Sequence, residues 1–288
     1  MFEFVEDAPF VPTKCRYELE EILYRGKSKF QLIEVIKNPD FGKMLLLDGV
    51  VQITEADEFF YHEMLTHVLM HSHPEPKKVV VIGGGDGGVV REVLKHKCVE
   101  KVFFVEIDAE VIKVSERFFP QVASGNKDPR VEIRVMDGAE FIRQSRRADI
   151  DVIIVDSTDI IGFARTLFTD EFFKNVRESL SENGMFVTHS ESILFHRETV
   201  RQVQEILKGA FPIVDLYASP LATYPGYWWS YAVGSMKLSP REVRRPFEIE
   251  TKFYDDEIHV QSFITKKFYD KLISGRLDWD LKGSFEMG

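Results

Sequence analysis

From Lys77 onward the chain repeats one pattern four times: a short, almost continuously apolar run, then glycine or acidic residues, then a helical stretch. The runs are residues 78–82, 101–105, 131–135 and 150–155. Strands that are apolar on both faces must be covered by helices on both sides, and parallel neighbours need a crossover between them. The pattern therefore predicts an α/β fold with a doubly wound, mostly parallel sheet. Three further strands are expected near 185–188, 213–218 and 228–234.

The chain before Lys77 follows a different rule. Residues 31–36 and 43–47 are strand-like and flank the turn-rich Asn38-Pro39-Asp40-Phe41-Gly42. Asp48-Gly49 then separates two apolar runs, a strong two-residue hairpin signal. Residues 1–54 are thus expected to form a small β-hairpin domain. Thr54 is positioned to cap a helix over 54–71, in which Phe59, Phe60, Met64, Val68 and Leu69 recur at helical spacing. This linking helix, within 55–76, opens an α/β unit spanning 55–240; residues 241–288 read as a C-terminal appendage with a helix around 265–273. Arg241, Arg244 and Arg245 are expected on a solvated surface, and Trp228 and Trp229 in the core or a pocket wall.

Charge narrows the partners. With 37 basic and 47 acidic residues the formal net charge is −10, which disfavours a nucleic-acid backbone and favours a small cation. Two cysteines cannot build a disulfide framework, so a reducing, cytoplasmic setting is expected. No apolar run approaches the roughly 18 residues of a membrane helix, and the acidic start lacks the basic region of a signal peptide.

In an open parallel sheet, ligands bind beyond the carboxyl ends of the strands. The first strand runs into Gly83-Gly84-Gly85-Asp86-Gly87-Gly88, which allows a tight turn and close approach of backbone to a ligand. The second ends at Glu106, twenty residues past Asp86, the spacing of a carboxylate that binds ribose hydroxyls. The third ends in Asp137-Gly138 and the fourth in Asp156-Ser157-Thr158-Asp159. Four successive strands thus bring a carboxylate to one rim. Asp86 would repel a pyrophosphate lying in the turn, and no Lys or Arg lies there to offset it. The rim suits an uncharged adenosine joined to a cation. Glu63, His67 and His71 lie four apart on one helical face, but no Glu follows His67 to complete a metalloprotease signature, and no metal is expected.

Val-Ile-Gly-Gly-Gly-Asp-Gly-Gly at 81–88, Leu-Asp-Gly-Val-Val-Gln at 47–52, Asp-Glu-Phe-Phe-Tyr-His-Glu at 57–63 and Asp-Ser-Thr-Asp at 156–159 closely resemble the polyamine aminopropyltransferases, among them the spermidine synthases. The resemblance implies a β-hairpin domain followed by a Rossmann-like, methyltransferase-type domain, assembled as homodimers or homotetramers. It implies transfer of an aminopropyl group from decarboxylated S-adenosylmethionine, a co-substrate, to an amine, with release of methylthioadenosine. No permanently bound cofactor is implied. By resemblance Gln31, His62, Asp86, Glu106, Asp137 and Gly138 line the donor, with Gly83 and Gly85 in its turn. Asp156 is then the proton acceptor, Tyr61 and Asp159 position the attacked end of the acceptor, Tyr224 lines its pocket, and Glu191 holds its distal ammonium.

Putrescine, giving spermidine, is the default acceptor. Ile160 and Phe163 stand where the family usually has prolines, and His189 where it often has Gln. These departures adjoin the acceptor, so cadaverine, agmatine and spermidine stay open. Two other readings are an S-adenosylmethionine methyltransferase and a non-catalytic polyamine-binding protein. Asp86 argues against the first, since it would repel the intact cofactor's carboxylate. Retention of both Asp156 and Asp159 argues against the second.

Overall fold

The computed structural model describes residues 2–8, 11–145, 147–158 and 162–273. Strands β1 (Phe2–Glu6) and β2 (Cys15–Leu19) pair as an antiparallel ribbon. Strands β3 (Glu21–Lys27), β4 (Leu32–Asn38), β5 (Gly42–Leu47) and β6 (Val50–Thr54) form an antiparallel meander. Between β5 and β6, Asp48 and Gly49 both take positive φ, 50° and 82°, as a two-residue hairpin turn demands. Alternation along β4 sends Ile33 and Val35 to one face, where they pack with Val111, Val114 and Phe119, and Ile36 to the other with Met44 and Tyr17.

Helix α1 (Glu58–Ser72) starts four residues later than expected, with Asp57 at its cap position. Thr54 does not cap it. Its hydroxyl donates to Asp57 Oδ1 at 2.7 Å, and Asp57 Oδ2 accepts from the backbone and hydroxyl of Thr223. Most of α1 is buried around its whole circumference, so the helix is a core element packed against the large sheet.

The α/β part alternates β7 (Lys78–Gly83), α2 (Gly88–Leu94), β8 (Lys101–Glu106), α3 (Ala109–Phe118), β9 (Val131–Val135), α4 (Gly138–Gln144) and β10 (Ile150–Asp156). It continues with α5 (Asp170–Ser179), β11 (Leu180–Ser192), α6 (Arg197–Ala210), β12 (Ile213–Pro220) and β13 (Trp228–Ser235). The seven strands lie in the order β12-β13-β11-β10-β7-β8-β9, with β13 antiparallel to both its neighbours. Val79–Val81 and Val152–Val155 are completely buried, which explains their unbroken apolar character. Strand order reverses between β7 and β10, so the crevice for a ligand opens at their carboxyl ends. Among the described residues no helix is long and apolar enough to cross a membrane.

After β13 the chain returns along α1 and continues through α7 (Asp256–Gln261) and α8 (Lys266–Ile273), where the described residues stop. Glu63 accepts the backbone N–H groups of Lys252, Phe253 and Tyr254 at 2.7, 2.8 and 2.9 Å. Arg244 and Arg245 donate to the carbonyls of Ser72 and Met70, at the end of α1 where positive charge is favourable. Arg241 pairs with Asp215 and donates to Ile264 O. Arg244 and Arg245 are therefore part-buried tethers, whereas Arg241 makes its contacts from the exposed surface expected of it. His67 bonds to His96 and Glu92, while His71 stacks on Phe247 with ring centroids 4.3 Å apart.

Candidate active site

Gly83 ends β7 and lies beside Asp156, which ends β10. Its φ is +78°, and a Cβ there would stand 2.1 Å from the Asp156 carbonyl oxygen. The next N–H, of Gly84, donates to that same oxygen at 2.7 Å. Only glycine allows this approach. It brings the turn and the end of β10 together as one floor.

Above that floor is a cavity of about 510 Å³. Gln31, His62, Gly83, Gly85, Asp86, Glu106, Asp137 and Gly138 all line it, together with Tyr61, Asp156 and Tyr224. Gln31 comes from the meander and donates to Asp108 Oδ2 at 3.0 Å, joining the β part to the loop after β8. Asp108 caps α3 and gives its backbone N–H to Glu106 Oε1 at 2.8 Å. Asp137 caps α4 by accepting from Glu140 N at 3.0 Å. An adjoining cavity of about 30 Å³ is lined by Glu191, His189, His196 and Trp229, and Tyr61 and Tyr224 border both spaces. Asp159 and Ile160 lie outside the described residues.

The carboxylates differ in state. Burial pushes Asp156 up, and Asp86 pushes it further, to about 7; nearby His62 and the Tyr61 hydroxyl oppose this. Asp156 Oδ1 accepts from Tyr61 at 2.7 Å, and Oδ2 has no hydrogen-bond partner among the described residues. Burial would also raise Asp86, but His62 and the Gly88 N–H outweigh it and hold this carboxyl below its usual range. Glu106 is raised to about 7 by burial, with the Asp108 N–H working against the shift. For His62 burial favours the neutral ring, yet Asp86 and Glu58 raise it to about 10. His62, Asp86 and Asp156 offer ligand atoms within 4.8 Å of one another. A protonated His62 has no lone pair to give a metal, so the arrangement suits an organic cation better.

At the far end, Glu191 sits where the β11–β13 register slips between His189 and Ser192, and its φ is +71°. A bulge re-aims a side chain, and here it accompanies a residue held in the left-handed region. His189 stacks on Trp229 with centroids 5.9 Å apart, and its Nε2 lies 3.2 Å from Ser157 Oγ. Burial lowers both His189 and His196 to about 4.

Several residues at the site escaped the sequence reading. Glu58 and Arg91 hold His62 from behind, Asp108 supports Glu106 and Gln31, and Gln52 O accepts from Tyr224 OH at 2.5 Å. Glu58 had a signal, its i,i+4 spacing to His62 on one helix. Ser157 stood inside the Asp-Ser-Thr-Asp motif with no role given to it, and His196 had no local signal.

Two family models match in tandem: "Spermidine synthase tetramerisation domain" over residues 4–55 and "Spermine/spermidine synthase domain" over 58–244. A polyamine aminopropyltransferase of Hydrogenobaculum sp. is 51% identical over 96% of this chain and 98% of its own. Polyamine aminopropyltransferase 1 of Aquifex aeolicus is 47% identical over 94% of this chain and 97% of its own. The crystal structure of spermidine synthase from Thermotoga maritima superposes with a TM-score of 0.90 at 38% identity, covering 95% of this chain and 94% of the other. A second solved structure, a spermidine synthase in complex with the transition-state analogue AdoDATO, gives the same TM-score and identity over 95% of both chains. With its fold and nearly its full length in agreement with these proteins, the chain belongs to the spermine/spermidine synthase family and is an aminopropyltransferase.

Proposed function

We propose that this enzyme transfers the aminopropyl group of decarboxylated S-adenosylmethionine to putrescine, giving spermidine and methylthioadenosine. The observation that carries the reading is the pair Asp86 and Asp156, facing one cavity with opposite shifts, the first held ionised and the second raised to about 7. Neighbouring carboxyls pushed apart in this way mark divided roles. Asp86 attracts the donor's primary ammonium and repels the carboxylate of intact S-adenosylmethionine. Glu106 accepts from the ribose, Asp137 and Gly138 meet the adenine, and Gln31, His62, Gly83 and Gly85 complete the donor wall.

The acceptor nitrogen attacks the carbon beside the sulfonium in line. Its lone pair forms the new N–C bond, the C–S bond breaks, and that pair stays on sulfur as a neutral thioether. The surplus proton on nitrogen passes to Asp156. An alkylamine with a pKa of about 10 costs about 4 kcal/mol to deprotonate at pH 7, and the adjacent sulfonium reduces that cost. Tyr61, bonded to Asp156, and Asp159 hold the attacked end. Tyr224 walls the pocket, and Glu191 takes the distal ammonium. The reaction as written uses no metal and no permanently bound cofactor.

The tetramerisation-domain match and the exposed Phe2, Val5 and Ile22 support a homodimer or homotetramer assembled through the N-terminal strands. Cys15 and Cys98 are both free, which fits a cytoplasmic enzyme. Methylthioadenosine release measured with putrescine, cadaverine, agmatine and spermidine tests the reading. Putrescine should turn over best. Release with none of them, despite donor binding, would overturn it, and equal affinity for intact S-adenosylmethionine would overturn the role of Asp86.

A further inference from the structure

Behind the donor cavity a line of buried charges runs away from the rim. His62 Nε2 lies 3.1 Å from Asp86 Oδ1, and its Nδ1 lies 2.6 Å from Glu58 Oε2. Arg91 grips both oxygens of Glu58, at 3.0 and 2.8 Å, and gives its Nε–H to Glu92 Oε1 at 2.7 Å. His62 is fully buried, and Glu58 stays out of the lining of the donor cavity. The ring's slot exists because Gly88 has no side chain: a Cβ there would stand 2.2 Å from the imidazole. The Nδ1 contact is a hydrogen bond and the Nε2 contact an ion pair, and the two are attractive together only when each nitrogen carries a proton.

On Asp86 both anchors, the His62 ring and the Gly88 N–H at 2.7 Å, fall on Oδ1, which leaves Oδ2 for a ligand. The groups facing His62 are Glu58 and Tyr61 from α1, Asp86 from the turn after β7, and Asp156 from β10, with Arg91 of α2 behind Glu58. Without a positive charge on the ring, three buried carboxyls would share this volume and one would take up a proton.

We propose that Glu58, braced by Arg91, is a positioning residue: it keeps His62 an imidazolium, and His62 in turn holds Asp86 ionised with one oxygen aimed at the donor's ammonium. The proposal rests on the role given to Asp86 above. Arg91 has a structural part in this, since its guanidinium fork fixes the carboxylate that would otherwise be free to rotate.

Histidine-ring NMR of the full-length enzyme reads the first half directly. In the wild type His62 should remain protonated through pH 8. In Glu58→Gln, which keeps the shape and one of the two Arg91 contacts, its titration should fall by about two to three pH units, as expected on removing a charge at this distance. Glu58→Asp, which keeps the charge, should bring it back toward the wild type. The second half is read by donor KM. In Glu58→Gln it should match the wild type at pH 6, where the ring is protonated regardless, and rise about tenfold by pH 8.5 with kcat changed far less, the size of one charged hydrogen bond lost.

A wild-type ring that titrates near 6.5, or a Glu58→Gln ring that does not move, overturns the proposal. So does a KM that rises by the same factor at every pH, which is the mark of a merely structural role. Asp86→Asn separates this from the reading beneath it. If that variant keeps its donor KM, the role of Asp86 fails, while the titration of His62 still decides what Glu58 does.

Discussion

The proposed donor and acceptor ends of the site place the same side chain in opposite states. His62 and His189 are both buried, and in both burial works against the charged ring. At the donor end carboxylate oxygens stand 2.6 and 3.1 Å from the His62 nitrogens and raise it to about 10. At the acceptor end Glu191 stands 3.9 Å from His189 and from His196, too far for a hydrogen bond, and both fall to about 4. Less than 1.5 Å of extra separation reverses which effect wins, because hydrogen bonding to the charged form fades with distance faster than burial is relieved. The donor end is thus a bound set of alternating charges, whereas the acceptor end sets one carboxylate among neutral rings.

The sharpest way to break this comparison is at the residue between the two ends. Asp156→Asn should lower kcat about a thousandfold, within the range of a lost general base, with donor affinity nearly unchanged. Single-turnover methylthioadenosine formation separates the two, and undiminished turnover would remove Asp156 from its role.

Asp86→Asn should act on both ends at once. Donor KM should rise roughly ten- to a hundredfold, as for loss of a hydrogen bond to a charged group. Asp156, relieved of a like charge, should also titrate lower. The base must be ionised, so wild-type kcat/KM falls as pH drops through about 7; in the variant that fall should move to lower pH. An acid limb that stays in place would mean that Asp86 does not raise Asp156. Glu191→Gln should be narrower, raising acceptor KM about tenfold with donor KM unchanged. Equal loss for both substrates would show that the two ends are not separate.

The rim of the larger cavity was largely legible because it is local. Gly83, Asp86, Glu106, Asp137 and Asp156 each lie within a few residues of a strand end, and period and spacing alone place them on one rim. The Asp48-Gly49 turn was legible for the same reason. The acceptor end depends on tertiary accident. Nothing near Glu191 announces a bulge, since the slip is set by the pairing of Ser192 with Trp229, thirty-seven residues on. The start of α1 was misplaced because Thr54 and Asp57 are both cap-type residues, and Thr223, far along the chain, decides between them. Glu58 was in view inside a motif, yet its partner Arg91 lies 33 residues away, across a helix pair no local pattern joins.

The smallest effect tests the comparison as a difference in stability. Below pH 6.5 an unfolded histidine binds a proton, while a folded one held at about 4 does not, so stability falls as pH drops from 6.5 to 4, by about 1.4 kcal/mol per pH unit for each such ring. His189, His196 and His259 all behave this way. His62 has the opposite sign: its contribution is complete below 6.5 and is lost as pH rises through about 10. His189→Gln should therefore flatten the acid slope of urea-unfolding stability between pH 6 and 4.5 by about one proton's worth, while leaving the alkaline side untouched. If the slope does not change, His189 is protonated in the folded enzyme. The acceptor end would then carry a ring cation 3.9 Å from Glu191 before any amine arrived.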